Sequence, residues 1–144
     1  MKSVQLISQR LKRINHLYTK MISKELSAFE LEHHFEVLLA LASQEKPVTQ
    51  NKLAELLQVD KSRMAVIVFE LEKRGMMQIS VNPNDRREHY VSLSPSAVTS
   101  IPHIELSVEK INQLAEAGIE RQKLMTFFEV SEMIQQNLVK KVAF

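Results

Sequence analysis

Cysteine is absent from this chain, which excludes disulfides, thiolate metal sites and cysteine-based redox sensing. Glycine is almost as scarce, with two residues in 144, so the expectation is a mostly helical protein with few tight turns. No apolar run approaches the roughly 18 residues of a membrane-spanning helix. The start, MKSVQLISQRLKRINHL, lacks the continuous apolar core and small-residue cleavage site of a secretory signal, so the expected location is cytoplasmic. Charge of one sign is also lacking: 19 Lys and Arg against 17 Asp and Glu leave a net charge of +2. A nucleic-acid-binding surface would therefore need local clustering of positive charge. Enzyme signatures are missing too, with no glycine-rich phosphate loop, no HExxH and no nucleophile elbow. The carboxylates are scattered among Lys and Arg, as on solvated helix surfaces. Glu30 and His33 stand at the i, i+3 spacing that two ligands of one ion can use. Adjacent His33 and His34 point about 100° apart on a helix, and no ligand set completes the pair, so neither metal nor cofactor is expected.

What the chain does contain is concentrated in residues 48–94. Leu53, Leu56 and Leu57 fall at i, i+3, i+4 after Thr49, a good N-cap, and Ala54 is small enough for a helix crossing. A second helix starts at Asp60 and places Met64, Ile67, Val68 and Leu71 on one face. Gly75 follows Lys73 and Arg74, as a helix stop should. Gln58 and Val59 alone separate the two helices, so they must cross steeply. Gln58 stands where a glycine often sits, so this turn either avoids a left-handed residue or accepts a small strain. MQISV and HYVSL then read as two strands around the turn-forming Asn82-Pro83-Asn84-Asp85. A helix-turn-helix followed by a two-stranded wing is suited to gripping duplex DNA.

This segment resembles the winged helix of the MarR family of bacterial transcriptional regulators. The resemblance lies in VTQNKLAELLQVDKS, the ELEKRG helix end, the NPNDRR wing tip and the VSLS exit. It extends more loosely over most of the chain. It implies a homodimer that binds a palindromic operator, often in its own promoter. It also implies release of DNA when a small aromatic or phenolic compound binds between the dimerisation and DNA-binding lobes. The fold class expected is mostly α with a minor β part. Residues 29–95 would form the DNA-binding lobe, and residues 1–28 and 96–144 the dimerisation helices of a single MarR-like domain.

The flanks carry the dimerisation expectation. Ile7, Leu11, Ile14, Tyr18 and Met21 recur at a 4, 3, 4, 3 spacing, a heptad seam on one long helix. A second helix is expected over residues 29–42. Residues 95–116 read as helical, with Pro102 inside, which should kink the helix or split it. Gly118 ends that segment, and a last helix is expected over about residues 120–142. Its Leu124, Phe127, Phe128, Ile134 and Leu138 are too many for one face of a lone terminal helix. Candidate dimerisation residues are Ile7, Leu11, Ile14, Leu124, Phe128, Ile134 and Leu138.

At the reading head, Lys61, Ser62 and Arg63 lie in the first turn of the second helix, where base and phosphate contacts usually arise. Gln50, Asn51 and Lys52 begin the preceding helix and suit backbone phosphates. Two adjacent arginines exceed what a turn needs, so Arg86 and Arg87 point to DNA. The family pattern implies that one of them reaches DNA while the other forms a bracing ion pair with Asp85, and leaves open which does which. One and two turns in, where the family commonly has Thr and Arg, stand Ala65 and Val66, then Phe69 and Glu70. Ala65 and Val66 can read thymine methyls. Glu70 would repel phosphates unless paired with Lys73 or Arg74. Phe69 reads either as core, with the helix rotated by one position, or as a contact for another protein. A winged-helix protein acting through another regulator is thus the alternative to an operator-binding repressor. A ligand cavity lined by His16, Met21, His33 and Phe35 is the candidate effector site, against a filled core.

Overall fold

The computed structural model describes residues 6–29, 31 and 33–142. The element order is α1 (Ile7–Ser27), α2 (Phe35–Ala42), β1 (Val48–Thr49), α3 (Gln50–Leu57), α4 (Lys61–Lys73), β2 (Met77–Asn82), β3 (Asp85–Leu93), α5 (Pro95–Glu116) and α6 (Arg121–Val139). Glu30, and with it the Glu30–His33 pairing, falls outside the described residues. The chain groups into two compact units, residues 1–109 and 110–144.

The helix-turn-helix forms where the sequence pattern places it. Thr49 caps α3 by accepting from the Lys52 N–H at 3.1 Å, and Asp60 caps α4 by accepting from the Arg63 N–H at 2.8 Å. Each side chain satisfies a backbone donor that the first helical turn would otherwise leave open. Met64, Ile67, Val68 and Leu71 of α4 are buried, as their spacing requires, with Leu53 and Ala54 of α3. Ala54 carries no bulk beyond its methyl, so α3 and α4 approach closely. Between them Gln58 adopts the left-handed conformation at φ 54°. A residue with a β-carbon pays about 1 kcal/mol there.

The wing is the hairpin of β2 and β3, and β1 adds a third strand in the antiparallel order β1-β3-β2. Val48 pairs with Val91 and Thr49 with Tyr90, so the sheet joins the start of α3 directly to the wing. The third strand has only two residues, too short for an alternation to reveal it. The turn itself is Pro83-Asn84 alone, because Asp85 already belongs to β3 and faces Asn82. The register slips between Val81 and Asn82. Asn82 holds this irregular tip: its Oδ1 accepts from the Asn84 N–H at 2.9 Å, and its Nδ2 donates to Glu88 at 2.8 Å.

Gly75 closes α4 at φ 75°, a conformation that glycine takes without a steric cost. The Met76 N–H then returns to the Leu71 carbonyl at 2.9 Å. Buried Ser94 donates to the Gly75 carbonyl at 2.7 Å and accepts from the Ala97 N–H at 3.2 Å. It therefore fastens the end of α4 to the beginning of α5. The core of this unit is completed by Ile22, Leu26, Phe35, Leu38, Leu41, Met77, Val91 and Ile104.

Two boundaries differ from the sequence pattern. The second helix starts at Phe35, not at residue 29, because His34 stands in the left-handed region at φ 59° and breaks the helical path. Pro102 does not split its helix: α5 runs from Pro95 to Glu116. A single missing N–H removes one ladder bond, which neighbouring turns tolerate. The last helix ends at Val139, not near 142.

Candidate nucleic-acid interface

The first turn of α4 is exposed from Lys61 to Arg63, and so are Ala65 and Val66 behind it. Asp60 orders that turn. Its Oδ1 accepts from both the Arg63 N–H and the Ser62 hydroxyl, each at 2.8 Å. These bonds, the Arg63 N–H foremost, hold its carboxyl below the usual carboxylate range. Ser62 thus already donates its hydroxyl proton within the cap. What it presents outward is an acceptor. Lys61 and Arg63 are the donors of this turn.

Phe69 is 64% exposed, so the core reading of this residue is incorrect. Met64, Ile67, Val68 and Leu71 already fill the buried face, and Phe69 lies outside that arc. With Val66 it forms a short apolar stripe on the outer side of α4. Glu70 finds a partner, although not through the charges expected from its own helix: Nε2 of His34 lies 2.6 Å from its Oε2. That bond, ahead of the charges of Arg63 and His33, holds the Glu70 carboxyl below its ordinary range. Residues 69 and 70 were legible as unusual, but the partner across 36 positions was not.

At the wing tip the two arginines separate. Asp85 Oδ1 accepts from the Arg87 N–H at 3.0 Å and from its Nε at 3.2 Å, and Oδ2 accepts from an outer nitrogen at 3.5 Å. These bonds hold the Asp85 carboxyl low. The pairing follows strand geometry, since residues 85 and 87 share a face and residue 86 takes the other. The Arg87 side chain remains 91% exposed while paired, so it is aimed without being buried. Arg86 is exposed, and among the described residues no ion pair engages it.

The first turn of α3 and the wing meet. Thr49, Gln50 and Asn51 line a cleft of about 50 Å³ with Arg87, Glu88 and His89. Lys52 is exposed beside it. Three elements thus present Lys52, Lys61, Arg63, Arg86 and Arg87 in one unit.

The four residues named for an effector site do not gather round a described cavity. His16, Met21 and His33 are exposed and Phe35 is buried in the core. A surface cavity of about 420 Å³ lies instead between the end of α2, the following loop, β3 and α5, and is lined by Leu41, Lys46, Val91, Ser92, Ile101 and Glu105 among others. The dimerisation candidates divide by burial. Ile7, Leu11, Ile14, Phe128 and Leu138 are exposed, while Leu124 and Ile134 are half-buried. Among the described residues, no helix is long and apolar enough to cross a membrane.

Comparison with known proteins agrees with this geometry. A MarR family model matches residues 33–89. An uncharacterized HTH-type transcriptional regulator of Bacillus subtilis, YdcH, is 33% identical over 100 residues, covering 67% of this chain and 68% of that protein. The fold is shared with Staphylococcus aureus MepR in its DNA complex, at a TM-score of 0.83 and 16% identity over 91% of this chain and 98% of that one. It is also shared with PcaV of Streptomyces coelicolor in complex with its natural ligand, at a TM-score of 0.76 and 22% identity over 94% and 98%. With a capped reading helix, a braced wing and a homologous regulator across two thirds of its length, this chain belongs to the MarR family of transcriptional regulators.

Proposed function

We propose that the protein works as a homodimer that binds a palindromic operator and represses transcription until a small ligand releases it. The observation that carries this reading is the wing tip. An Asp that orients one 91% exposed arginine, beside a second that makes no ion pair among the described residues, adds nothing to a core, whereas it suits a charged phosphate backbone or a narrow groove. In this reading Lys61 and Arg63 enter the major groove with Ala65 and Val66, which offer methyl contacts to thymine. Gln50, Asn51 and Lys52 hold phosphates next to the wing. Arg86 contacts DNA directly, and Arg87 reaches it under the guidance of Asp85.

Dimerisation is supported by exposed apolar side chains on α1 and α6, of which Ile7, Leu11, Ile14 and Met21 stand at heptad positions. On α1, Ile7, Leu11, Ile14, Leu17 and Met21 are exposed, and α6 exposes Phe127, Phe128, Met133 and Leu138. Such stripes on a lone chain are an association surface. Two reading helices related by a two-fold axis would face half-sites one DNA turn apart. The effector has weaker support: the 420 Å³ cavity is within the size range of ligand sites, and PcaV was crystallised with a ligand.

Selection of duplexes from a random pool tests this proposal. The expected winners are two-fold symmetric, with half-site centres about 10 base pairs apart. Asymmetric winners, or a sedimenting monomer, would contradict the dimeric reading. A second reading, contact with another protein through α4, is favoured only by the exposed Phe69. Phe69→Ala should leave DNA binding nearly intact if that reading holds, and should abolish capture of the partner regulator.

A further inference from the structure

A histidine contact secures each end of the connector between α1 and α2. At its start the Phe29 ring stacks on His103 of α5, with centroids 4.5 Å apart and planes 22° apart. At its end Nε2 of His34 lies 2.6 Å from Oε2 of Glu70 on α4. Leu31, between them, is buried, and its N–H donates to the Leu26 carbonyl at 3.1 Å. The main chain of His34 also opens α2, its carbonyl accepting from the Val37 and Leu38 N–H groups at 3.1 and 3.3 Å.

The choice of residue at position 34 is unfavourable for stability alone. Helix starts favour Ser, Thr, Asp or Asn in extended backbone. His34 is left-handed and its side chain caps nothing. Strained backbone of this kind persists where the surroundings need it. Here the strain sends the imidazole to α4. Glu70 sits on the outer side of that helix, one residue past Phe69. Unpaired, its carboxylate would repel DNA phosphates. The charged groups acting on it are His34 first, then Arg63 of α4, then His33 of the connector.

We infer that His34 and Glu70 are positioning residues for DNA reading: their contact fixes how α4 is rotated against the start of α2. The inference rests on the DNA-binding reading above. It makes Glu70 a favourable residue for specific binding although its charge opposes DNA.

That opposition of signs provides the test. The probes are a duplex selected from a random pool by the full chain and a scrambled duplex of the same composition. Affinities are measured for the full chain, Glu70→Ala, Glu70→Gln, His34→Gln and the His34→Gln/Glu70→Ala double variant. Charge alone predicts that Glu70→Ala tightens both complexes. The tether predicts a loss of about tenfold on the selected duplex, within the range for coupled contacts, with no loss on the scrambled one. The double variant should lose no more than Glu70→Ala. His34→Gln, which retains a donor, should keep more affinity than the double variant. Unchanged or improved discrimination in Glu70→Ala, or strictly additive losses in the double variant, would overturn the inference while leaving the DNA reading intact. Failure of the unmodified chain to select any duplex would defeat both.

Discussion

Arg86→Ala is the most informative single change. Five exposed cations are grouped on the start of α3, the first turn of α4 and the wing: Lys52, Lys61, Arg63, Arg86 and Arg87. The proposed dimer doubles them. If each neutralises one phosphate, at about 0.9 in log affinity per log unit of salt, the dimer's slope is about −9. Arg86→Ala removes two contacts per dimer and should bring the slope to about −7. Over the fourfold rise from about 50 to 200 mM salt, the variant should lose roughly tenfold less affinity than the unmodified protein does. Asp85→Ala separates aim from charge. It makes each wing more positive, so electrostatics alone would strengthen binding. Loss of the bonds that orient Arg87 should instead weaken specific binding, with nonspecific binding unchanged or stronger. The assay is fluorescence anisotropy on a selected and a scrambled duplex at several salt concentrations. A slope unmoved by Arg86→Ala, or an Asp85→Ala protein that binds its specific duplex more tightly, would refute this use of the wing.

Other changes test the fold beneath the site. Thr49→Ala removes the cap of α3 and should cost about 1 kcal/mol in urea unfolding. Gln58→Gly relieves a left-handed residue and should add up to about 1 kcal/mol in the same assay. Leu53→Ala, at a fully buried position of α3, should cost about 2–5 kcal/mol. Asp60, Glu70 and Asp85 are all held below their ordinary values of 3.8 for Asp and 4.5 for Glu. Their folded-state values are depressed, so their stabilisation is present above the ordinary values and is lost as pH falls through the lower, folded ones. Melting temperature should therefore drop on acidification below roughly pH 4, and the Asp60→Asn/Asp85→Asn variant should show a shallower drop.

Local chemistry made much of this molecule legible. The capping residues Thr49 and Asp60, the apolar face Met64-Ile67-Val68-Leu71 and the stop at Gly75 all act over a single helical turn, and each stands where its spacing places it. The wing was equally readable, except that its tip shortens to Pro83-Asn84 because Asn82 and Asp85 pair. Features set by distant partners were not readable. The two-residue strand β1 exists only through its pairing with β3. Nothing near Glu70 in sequence announces His34. The only sequence signal was the carboxylate itself, a misplaced charge that required a partner from somewhere. The late start of α2 belongs to the same residue, since the left-handed His34 interrupts the helical path before Phe35. Phe69 was ambiguous because a shift of one position around a helix moves a residue by about 100°, enough to exchange core for surface.

In the proposed reading, α4 and the wing grip duplex DNA through phosphates and base edges together. Anisotropy of the purified protein on the duplex upstream of its own gene, against scrambled DNA at low and physiological salt, tests it most directly. The expected result is tighter binding to the upstream duplex and a steep salt slope that shallows in Arg86→Ala. Weak binding, equal on both duplexes and indifferent to that substitution, would contradict it.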